Sequence, residues 1–502
     1  MANRALSSTA LAVFISLASS VAAHAAIPQY GTAEIPLTAT SSYNGGSGTP
    51  NPFDLVLTAQ VTSPSGRRYT VDGFYDGDGV GGSIGRIFKF RVYADEVGTW
   101  RWTTTSTVAG LGAKSGTFDV SGKLAGFFGA GPIVENPTRP RTFQQQAGGP
   151  VFLRAKFLDK AATAPLQYSH TMFAESFTDA NRQALLTRHL GMQLNKMNVY
   201  VANRGDYGNV STTPWVGTAS SNDKQRFDLK RWQMFDAWVV KMRDAGMVTN
   251  LWFFADDSGF GDLPDADRQR LLRYGMARLS GYVNTMFTLA LEWQEGWSTT
   301  EVNTHSNYLQ TWNPWARMIG IHGLTGDFSS VLAPAAWLDY MQLQGGNDAS
   351  AAVIHTRGLT SRALAAKPLI QEEHGMGYED KLHRQRTWAA FTAGAAGVGT
   401  GSYFVPLATF VSRVRFERMD PADTLITSGN AWCLAEKGVA YVVYAHSGGT
   451  VKVDLTTATG TFVAEWFNPR DASTTAAVAA TGGGVRSYTA PTSDDWVLYL
   501  HK

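Results

Sequence analysis

The sequence predicts an α/β fold: a (β/α)8 TIM barrel flanked by an N-terminal β-sandwich and a small C-terminal β-sandwich. Between residues 150 and 404, apolar strand-like segments alternate with helical patterns, and eight such units fit the roughly 250 residues typical of this barrel. The segments on either side alternate apolar and polar residues, which indicates half-exposed strands. A doubly wound sheet also alternates strands and helices, but no glycine-rich nucleotide-binding turn follows the first predicted strand.

The amino-acid composition and net charge limit the kinds of ligand that the protein is expected to bind. The chain has 502 residues, enough for two or three domains, with a net charge of +2 and only 17% charged residues. We find no basic cluster, so nucleic acid is not an expected partner. Aromatic residues reach 12%, with 15 Trp and 51 Gly. This suits β-rich modules and flat rings that stack on sugars, although any large β-containing protein would share it.

The first 25 residues have the pattern of a secretory signal peptide. A positive residue precedes an apolar run at 10–21, and Ala-His-Ala at 23–25 predicts cleavage before Ala26. We expect no membrane span, because no later apolar run is long enough. The single cysteine, Cys433, allows no internal disulfide, which in a large exported protein indicates a bacterial periplasm or secretion to the medium. No pattern specifies the oligomeric state.

Changes in periodicity divide the chain into four segments. Strict alternation at 53–62 and 87–93, with glycine-rich turns between strands, favours a sandwich before the barrel. Strand-like runs return after Pro421. The predicted segments are a signal peptide at 1–25, an immunoglobulin-like β-sandwich at 26–125, the barrel at 126–425 and a β-sandwich at 426–502.

The barrel elements follow in chain order, beginning after a connector at 126–145. Thr178 is a plausible N-cap for the first helix. The eight predicted strands lie at 151–157, 194–201, 248–254, 284–291, 318–322, 340–344, 368–373 and 397–404. The predicted helices lie at 179–190, 232–243, 265–282, 350–365 and 379–395.

Acidic residues stand where two of these strands end. The fourth strand ends at Glu292, with Glu295 three residues on, and the seventh ends at Glu372 and Glu373. Chemistry in a TIM barrel lies at the C-terminal ends of the strands, and glycoside hydrolysis needs two carboxylates that face each other. Strand alternation decides which of Glu372 and Glu373 points inward, but its phase is open, and rim acids in salt bridges are an equal alternative.

Other polar and aromatic residues share this rim. No His-Glu-x-x-His motif or metal-ligand spacing is present, so we expect no metal and no cofactor. Polar residues at strand ends are Asn198, Tyr200, Asn203, Arg204, Asp256, Asp257, His322, Gln344 and His374. Aromatic residues on or near the rim loops, each as easily core as sugar platform, are Trp215, Trp252, Trp293, Trp297 and Tyr378.

Two stretches resemble the motifs of clan A retaining glycosidases. Asn-Thr-Met-Phe-Thr-Leu-Ala-Leu-Glu-Trp at 284–293 resembles their strand-four motif, and Lys-Pro-Leu-Ile-Gln-Glu-Glu-His-Gly at 367–375 their strand-seven motif. The resemblance implies that Glu292 is the acid/base and Glu373 the nucleophile, with Glu295 as a rival acid/base. The match departs at Leu291, where the clan commonly has an Asn that contacts the sugar 2-hydroxyl.

The flanking segments carry a second resemblance. Stretches at 71–79, 91–102 and 116–120 resemble an immunoglobulin-like domain that precedes such barrels, and 466–470 with 494–500 resembles a β-domain of the collagen-binding type. The whole implies a secreted retaining glycoside hydrolase acting on a polysaccharide or oligosaccharide. The alternative is a non-catalytic carbohydrate- or matrix-binding protein on the same scaffold. Predicted substrate-binding residues are His322, Gln344, Asn198, Trp293, His374, Tyr378 and Trp252.

Overall fold

The centre of the molecule is a barrel of eight parallel strands. The computed structural model describes residues 26–156, 158–203, 212–218, 220–255, 260–347, 349–375 and 377–502. The predicted signal peptide and rim residues Arg204, Asp256 and Asp257 lie outside those ranges. The barrel strands are β1 (Leu153–Arg154), β2 (Lys196–Ala202), β3 (Val248–Phe254), β4 (Thr285–Ala290), β5 (Ile319–Thr325), β6 (Tyr340–Gln344), β7 (Leu369–Glu373) and β8 (Gly397–Val398).

Asn195 closes the barrel. Hydrogen-bond ladders join the strands in the order β1-β8-β7-β6-β5-β4-β3-β2, which leaves a seam between β1 and β2 among the described residues. At this seam the N–H of Asn195 donates to the carbonyl of Arg154 at 3.0 Å. The N–H of Arg154 donates in return to Asn195 Oδ1 at 2.7 Å. The two hydrogen bonds of Asn195 therefore join β1 to β2, where no strand ladder is present among the described residues.

Helices follow the strands and confirm the predicted fold class. They are α1 (Asp179–Gly191), α2 (Leu229–Asp244), α3 (Asp265–Leu279), α4 (Thr299–Thr311), α5 (Ala351–Leu364), α6 (Lys381–Thr392) and α7 (Phe404–Val411). As predicted, Thr178 caps α1, by accepting from the N–H of Asn181. Residues 326–339, all of them described, connect β5 to β6 without an α-helix. The β2–α2 loop contains a hairpin of Trp215–Gly217 and Asn222–Phe227.

The connector before the barrel seals its N-terminal end. Its three antiparallel strands are Ile133–Glu135, Phe143–Gln145 and Pro150–Val151. Phe143 packs edge-on against Tyr340, at the start of β6, with ring centroids 6.0 Å apart. Val248 and Met286, from the starts of β3 and β4, belong to the same apolar cluster. The connector therefore covers the barrel at the end where the strands begin.

The N-terminal domain packs two sheets against each other and contacts α2 and α3. Its Arg91 bonds Asp236 of α2 at 3.0 and 2.7 Å, and its Asp76 accepts from Arg278 of α3 at 2.7 Å. Arg278 also reaches Asp236 at 2.7 Å, so four buried charges join the two domains. The strands are Ile27–Gln29, Gly31–Asn44, Leu57–Thr62, Arg68–Asp72, Phe74–Tyr75, Ile84–Ala94, Gly98–Ser106 and Ser115–Lys123.

The C-terminal β-domain packs against α6. Asp495 is fully buried and accepts two hydrogen bonds from Arg384 of α6, at 3.0 and 2.7 Å. Among the described helices, none is both long and apolar enough to cross a bilayer. The strands are Asp420–Pro421, Ile426–Ser428, Ala431–Glu436, Ala440–Ala445, Thr450–Asp454, Thr461–Phe467, Thr474–Ala476, Ala480–Thr481, Val485–Thr489 and Trp496–His501.

Candidate active site

A small cavity opens at the end of the barrel where the strands finish. Glu292, just after β4, and Glu373, the last residue of β7, both line it. The enclosed space is about 20 Å³, which is room for about one water molecule and smaller than a sugar unit. The other residues that line it are Leu158, Tyr168, His170, Tyr200 and Leu291.

Glu292 lies on a strained turn. β4 ends at Ala290, and Glu292 adopts φ 40° and ψ 49°, a left-handed conformation that residues with a Cβ adopt at a cost. Its N–H points at His322 Nδ1, 3.4 Å away, and its carbonyl accepts from the N–H of Glu295 at 2.9 Å. The side chain is only 8% exposed. The turn therefore directs a carboxyl into the cavity instead of continuing the strand.

Gln344 of β6 and His322 of β5 both contact Glu292. Gln344, at the end of β6, donates from its amide to Glu292 Oε1. The side-chain amide oxygen of Gln344, Oε1, accepts a hydrogen bond from the hydroxyl of Thr325 at 2.8 Å. Burial, together with the charge of Lys196, lowers the pKa of His322 to about 3. His322 is therefore neutral at physiological pH, which lets Nδ1 accept from the N–H of Glu292.

A β-bulge separates the two acids of β7. Leu343 of β6 pairs with Gln371, and the next residue, Gln344, pairs with Glu373, so Glu372 is an extra residue. Glu372 is fully buried, whereas Glu373 is half-buried and lines the cavity. Of the two candidates that strand alternation left open, Glu373 is the one beside Glu292.

Glu372 belongs to the interior of the barrel. It pairs with Lys196 of β2, and neither side chain has exposed surface. It also accepts from Asn198 Nδ2 at 2.8 Å and Gln342 Nε2 at 3.1 Å. Burial lowers the pKa of Lys196, and the charge of Glu372 opposes that shift. Asn198, predicted to bind substrate, is therefore engaged with Glu372 and lies below the residues that line the cavity.

Stacked aromatic rings form one wall of the site. Tyr200 lies between His170, with ring centroids 4.6 Å apart, and Trp252, at 5.4 Å. Trp252 has no exposed surface, and its other neighbour in the row is His322, at 5.1 Å. The predicted platform residue Trp252 thus supports the wall from behind, while Tyr200 and His170 line the cavity.

Leu291 makes the wall beside Glu292 apolar. It is 4% exposed and clusters with Tyr200, Trp252 and Ala255, apart from the main core. The position at which the resembling motif has an amide side chain therefore offers no hydrogen-bonding group to a ligand.

Three residues of the wall were not among those predicted. Leu158, Tyr168 and His170 come from the segment that follows β1, and His170 lies in a short 3-10 helix, Ser169–Phe173. The predicted strand before it, 151–157, does not end in an acid, and Asp159, beside Leu158, is buried in ion pairs with Lys156 and Arg188. The pattern of a strand that ends in an acid therefore does not mark this segment. The signal available in the sequence was Gln-Tyr-Ser-His at 167–170, aromatic and imidazole side chains in a rim segment.

Several predicted residues lie away from this cavity. Trp293 and Trp297 are 7% and 5% exposed and pack in the main core, and Arg268 lies over the Trp297 ring at 4.3 Å. Trp215 is buried in the same core. We infer that these three tryptophans pack the loops that carry the rim.

His374 and Glu295 are also outside the residues that line the cavity. His374 is fully buried beside Gly345 and Gly401, and burial, with the nearby charge of Arg386, lowers its pKa to about 3. Glu295 is exposed on the turn after Glu292.

Tyr378 is exposed in the loop that follows β7. It is 49% exposed, and its ring meets His383 edge-on at 5.6 Å. The part of the chain that the structure describes contains no group of three or more His, Cys, Asp or Glu side chains placed to hold a metal ion.

Comparison with known families covers the two ends of the chain. Residues 26–107 match a model described as "Domain of unknown function (DUF5060)", and residues 421–501 match one described as "Putative collagen-binding domain of a collagenase". A search of curated protein sequences finds no match.

Solved structures resemble this chain over three quarters of its length or more. A Bacteroides vulgatus protein described as a "putative glycoside hydrolase" aligns with TM-score 0.76 and 17% identity, over 95% of this chain and 100% of that one. A glycoside hydrolase family 5 protein from the same organism aligns at 0.62 and 15%, over 76% and 95%. A third structure, described as a glycoside hydrolase, aligns at 0.58 and 14%, over 76% and 99%. The chain therefore has the fold of these glycoside hydrolases.

Proposed function

We propose that this protein is a retaining glycoside hydrolase in which Glu373 is the nucleophile and Glu292 the acid/base. One observation carries the proposal: the two carboxyl groups come from the ends of β4 and β7 and line the same cavity. The fold shared with glycoside hydrolases supports the same reaction class. The sequence resemblance to strand-four and strand-seven motifs supports the division of roles.

The reaction would proceed by two displacements. Glu373 attacks the anomeric carbon while Glu292 donates its proton to the departing glycosidic oxygen. Glu292 then takes a proton from a water molecule, which attacks the same carbon and releases Glu373. The enclosed space beside both acids has the size of one water. Retention requires the carboxyl groups to approach to about 5 Å in the working enzyme.

The substrate would be a polysaccharide or an oligosaccharide. The rings of Tyr200 and His170 offer flat surfaces beside the acids, and sugar faces stack on such surfaces. Tyr378, which is exposed in the loop after β7, would contact a more distant sugar unit. Because specificity resides in loops, the sugar, the linkage and the choice between endo and exo action need direct screening.

Glu373→Ala tests the proposal. We expect hydrolysis across a glycan panel to fall by at least about a thousandfold while the circular dichroism spectrum and melting temperature stay near wild type. The control in the same strand is Glu372→Gln combined with Lys196→Met, which removes the neighbouring acid without leaving a buried charge unpartnered, and its activity should stay far above that of Glu373→Ala. A 2-fluoro glycoside should leave a covalent adduct on Glu373, detected by peptide mass spectrometry.

A non-catalytic carbohydrate-binding role is the second candidate, and Leu291 favours it because it removes a polar group beside Glu292. Sugar binding without hydrolysis across the panel would support this role. Normal hydrolysis by Glu373→Ala would contradict our assignment of the nucleophile.

We also propose that the protein is exported, to a bacterial periplasm or the medium. The support is the signal-like sequence at 1–25. Expression with this segment and N-terminal sequencing of the processed protein should give a start at Ala26. A cytoplasmic product that retains Met1 would contradict export.

A further inference from the structure

A second bulge, in β5, places a threonine beside the residue that holds Glu292. His322 of β5 pairs with Gln342, and Thr325 pairs with Gln344, so three steps along β5 match two along β6. The extra residue brings the Thr325 hydroxyl to within 2.8 Å of the Gln344 side-chain oxygen. Thr325 itself is exposed and is not among the residues that line the cavity.

The hydrogen bonds from Thr325 to Glu292 run in one direction. Gln344 donates from its amide nitrogen to Glu292 Oε1 and accepts at its amide oxygen from Thr325. An ionised carboxylate can only accept, so the amide NH2 must face Glu292 and the amide oxygen must face away from it. The Thr325 hydroxyl supplies the donor that this oxygen then needs.

The same bulge also holds the turn that follows Glu292. The N–H of Leu324 donates to Gln294 Oε1 at 2.8 Å, and Gln294 is two residues after Glu292. The bulged end of β5 therefore contacts both the carboxyl of Glu292, through Gln344, and the backbone turn that carries it.

We propose that Thr325 is a positioning residue that acts through Gln344 on the carboxyl group of Glu292. The inference deepens the proposed function, because it rests on Glu292 being the acid/base. Thr325 fixes the orientation of the Gln344 amide, and the oriented amide keeps the carboxyl at one place and stabilises its charged form. The described titratable groups around Glu292 are His322, His170, Tyr168, Tyr200 and Glu373, and a substitution at Thr325 replaces none of them.

Thr325→Val removes the hydroxyl and keeps the shape, and Thr325→Ser keeps the hydroxyl. On a hydrolysed substrate we expect Thr325→Val to lower kcat about three- to tenfold with KM nearly unchanged. The limb of the pH profile that reports Glu292 should move to higher pH by about half a unit to one unit. Thr325→Ser should stay within about twofold of wild type. An unmoved pH limb, or a change in KM alone, would overturn the proposal.

A second measurement does not depend on turnover. In protein labelled with 13C at the glutamate side-chain carboxyl, the signal that disappears in Glu292→Gln reports the titration of Glu292. Thr325→Val should raise this titration midpoint in the wild-type background and leave it unmoved in a Gln344→Leu background. Equal shifts in both backgrounds would show that Thr325 does not act through Gln344. If the midpoint behaves as expected but no glycan is hydrolysed, the positioning role stands and the proposed function fails.

Discussion

Strands β4 and β7 bring an acid to the same cavity by different backbone devices. After β4, Glu292 turns inward through a left-handed conformation with φ 40°. In β7, a bulge inserts Glu372 into the strand, so that Glu373 reaches the cavity while Glu372 contacts residues inside the barrel. The backbone after β4 is therefore strained at one residue, Glu292. In β7 the extra residue of the bulge redirects the chain instead.

The two acids also differ in what surrounds them. Neutral groups, the amide of Gln344 and the imidazole of His322, hold Glu292. Glu373 instead follows Glu372, whose buried ion pair with Lys196 links β7 to β2. A buried ion pair therefore lies next to the candidate nucleophile in β7. The described hydrogen bonds of Glu292 are with neutral groups, and its backbone is strained.

Lys196→Met should give the largest effect on stability. It leaves the charge of Glu372 buried without its partner, which costs about 3–5 kcal/mol in other proteins. Chemical denaturation with urea measures the free energy of unfolding.

A paired variant separates charge from packing. Lys196→Met with Glu372→Gln removes both charges and keeps an oxygen that can accept from Asn198 and Gln342. This double variant should recover most of the lost stability. If it is as unstable as Lys196→Met alone, the ion pair is not what links β7 to β2.

Acid should destabilise both sides of the site through buried histidines, His322 beside Glu292 and His374 beside Glu373. Burial lowers both pKa values from 6.5 to about 3. Well above pH 6.5 the imidazoles are neutral in both the folded and the unfolded state. As pH falls below 6.5, the unfolded chain gains protons that the folded chain takes up only near pH 3, so stability falls over that window. At pH 5 each histidine should cost about 2 kcal/mol.

Substituting each histidine in turn shows how much it contributes to the pH dependence of stability. Neither ring nitrogen of His374 has a hydrogen-bond partner among the described residues, so His374→Leu should be tolerated and should flatten the pH dependence of the unfolding free energy by about one proton. His322→Gln should flatten it by a similar amount. A slope between pH 6.5 and 4 that neither variant changes would contradict buried neutral histidines on both sides.

The backbone strain at Glu292 predicts a smaller difference between two inactive variants. Glycine adopts φ 40° freely, whereas alanine does not, so Glu292→Gly should be about 1 kcal/mol more stable than Glu292→Ala. Glu295, in the following 3-10 helix, is the control, because glycine there should be less stable than alanine by about 0.5–1 kcal/mol. The same sign at both positions would mean that Glu292 is not strained.

Periodicity was enough to predict the architecture. β3, Val248–Phe254, and β6, Tyr340–Gln344, have the predicted bounds, because buried parallel strands are continuous apolar runs. The eighth strand was predicted to reach residue 404 but ends at Val398. The backbone bends at residues 399, 400 and 402, Tyr403 adopts φ 56°, and Phe404 opens α7 with its side chain buried. An apolar residue at the rim can belong to either element, and periodicity cannot separate them.

The site was predictable in part, for physical reasons that differ between residues. A strand followed by an acid indicates where a carboxyl can appear, and the cavity has Glu292 and Glu373 in its wall. A bulge changes which side chains of a strand point inward, and amino-acid composition does not reveal it. The sequence therefore did not predict whether Glu372 or Glu373 faces the cavity. The burial of His374 and Trp293 depends on loops packing over them, which is a tertiary effect.

Glu295→Gln should have the smallest effect, and it sharpens the comparison because Glu295 is the rival of Glu292 on the same turn. Glu295 is exposed and is not among the residues that line the cavity, whereas Glu292 is 8% exposed and lines it. We expect Glu295→Gln to keep kcat/KM within about threefold of wild type and the free energy of unfolding within about 0.5 kcal/mol. Glu292→Gln should lose most turnover, and external azide should restore part of it with substrates that have good leaving groups, because these need no protonation. Azide rescue of Glu295→Gln instead would transfer the acid/base role to Glu295 and leave the strained turn at Glu292 without a catalytic explanation.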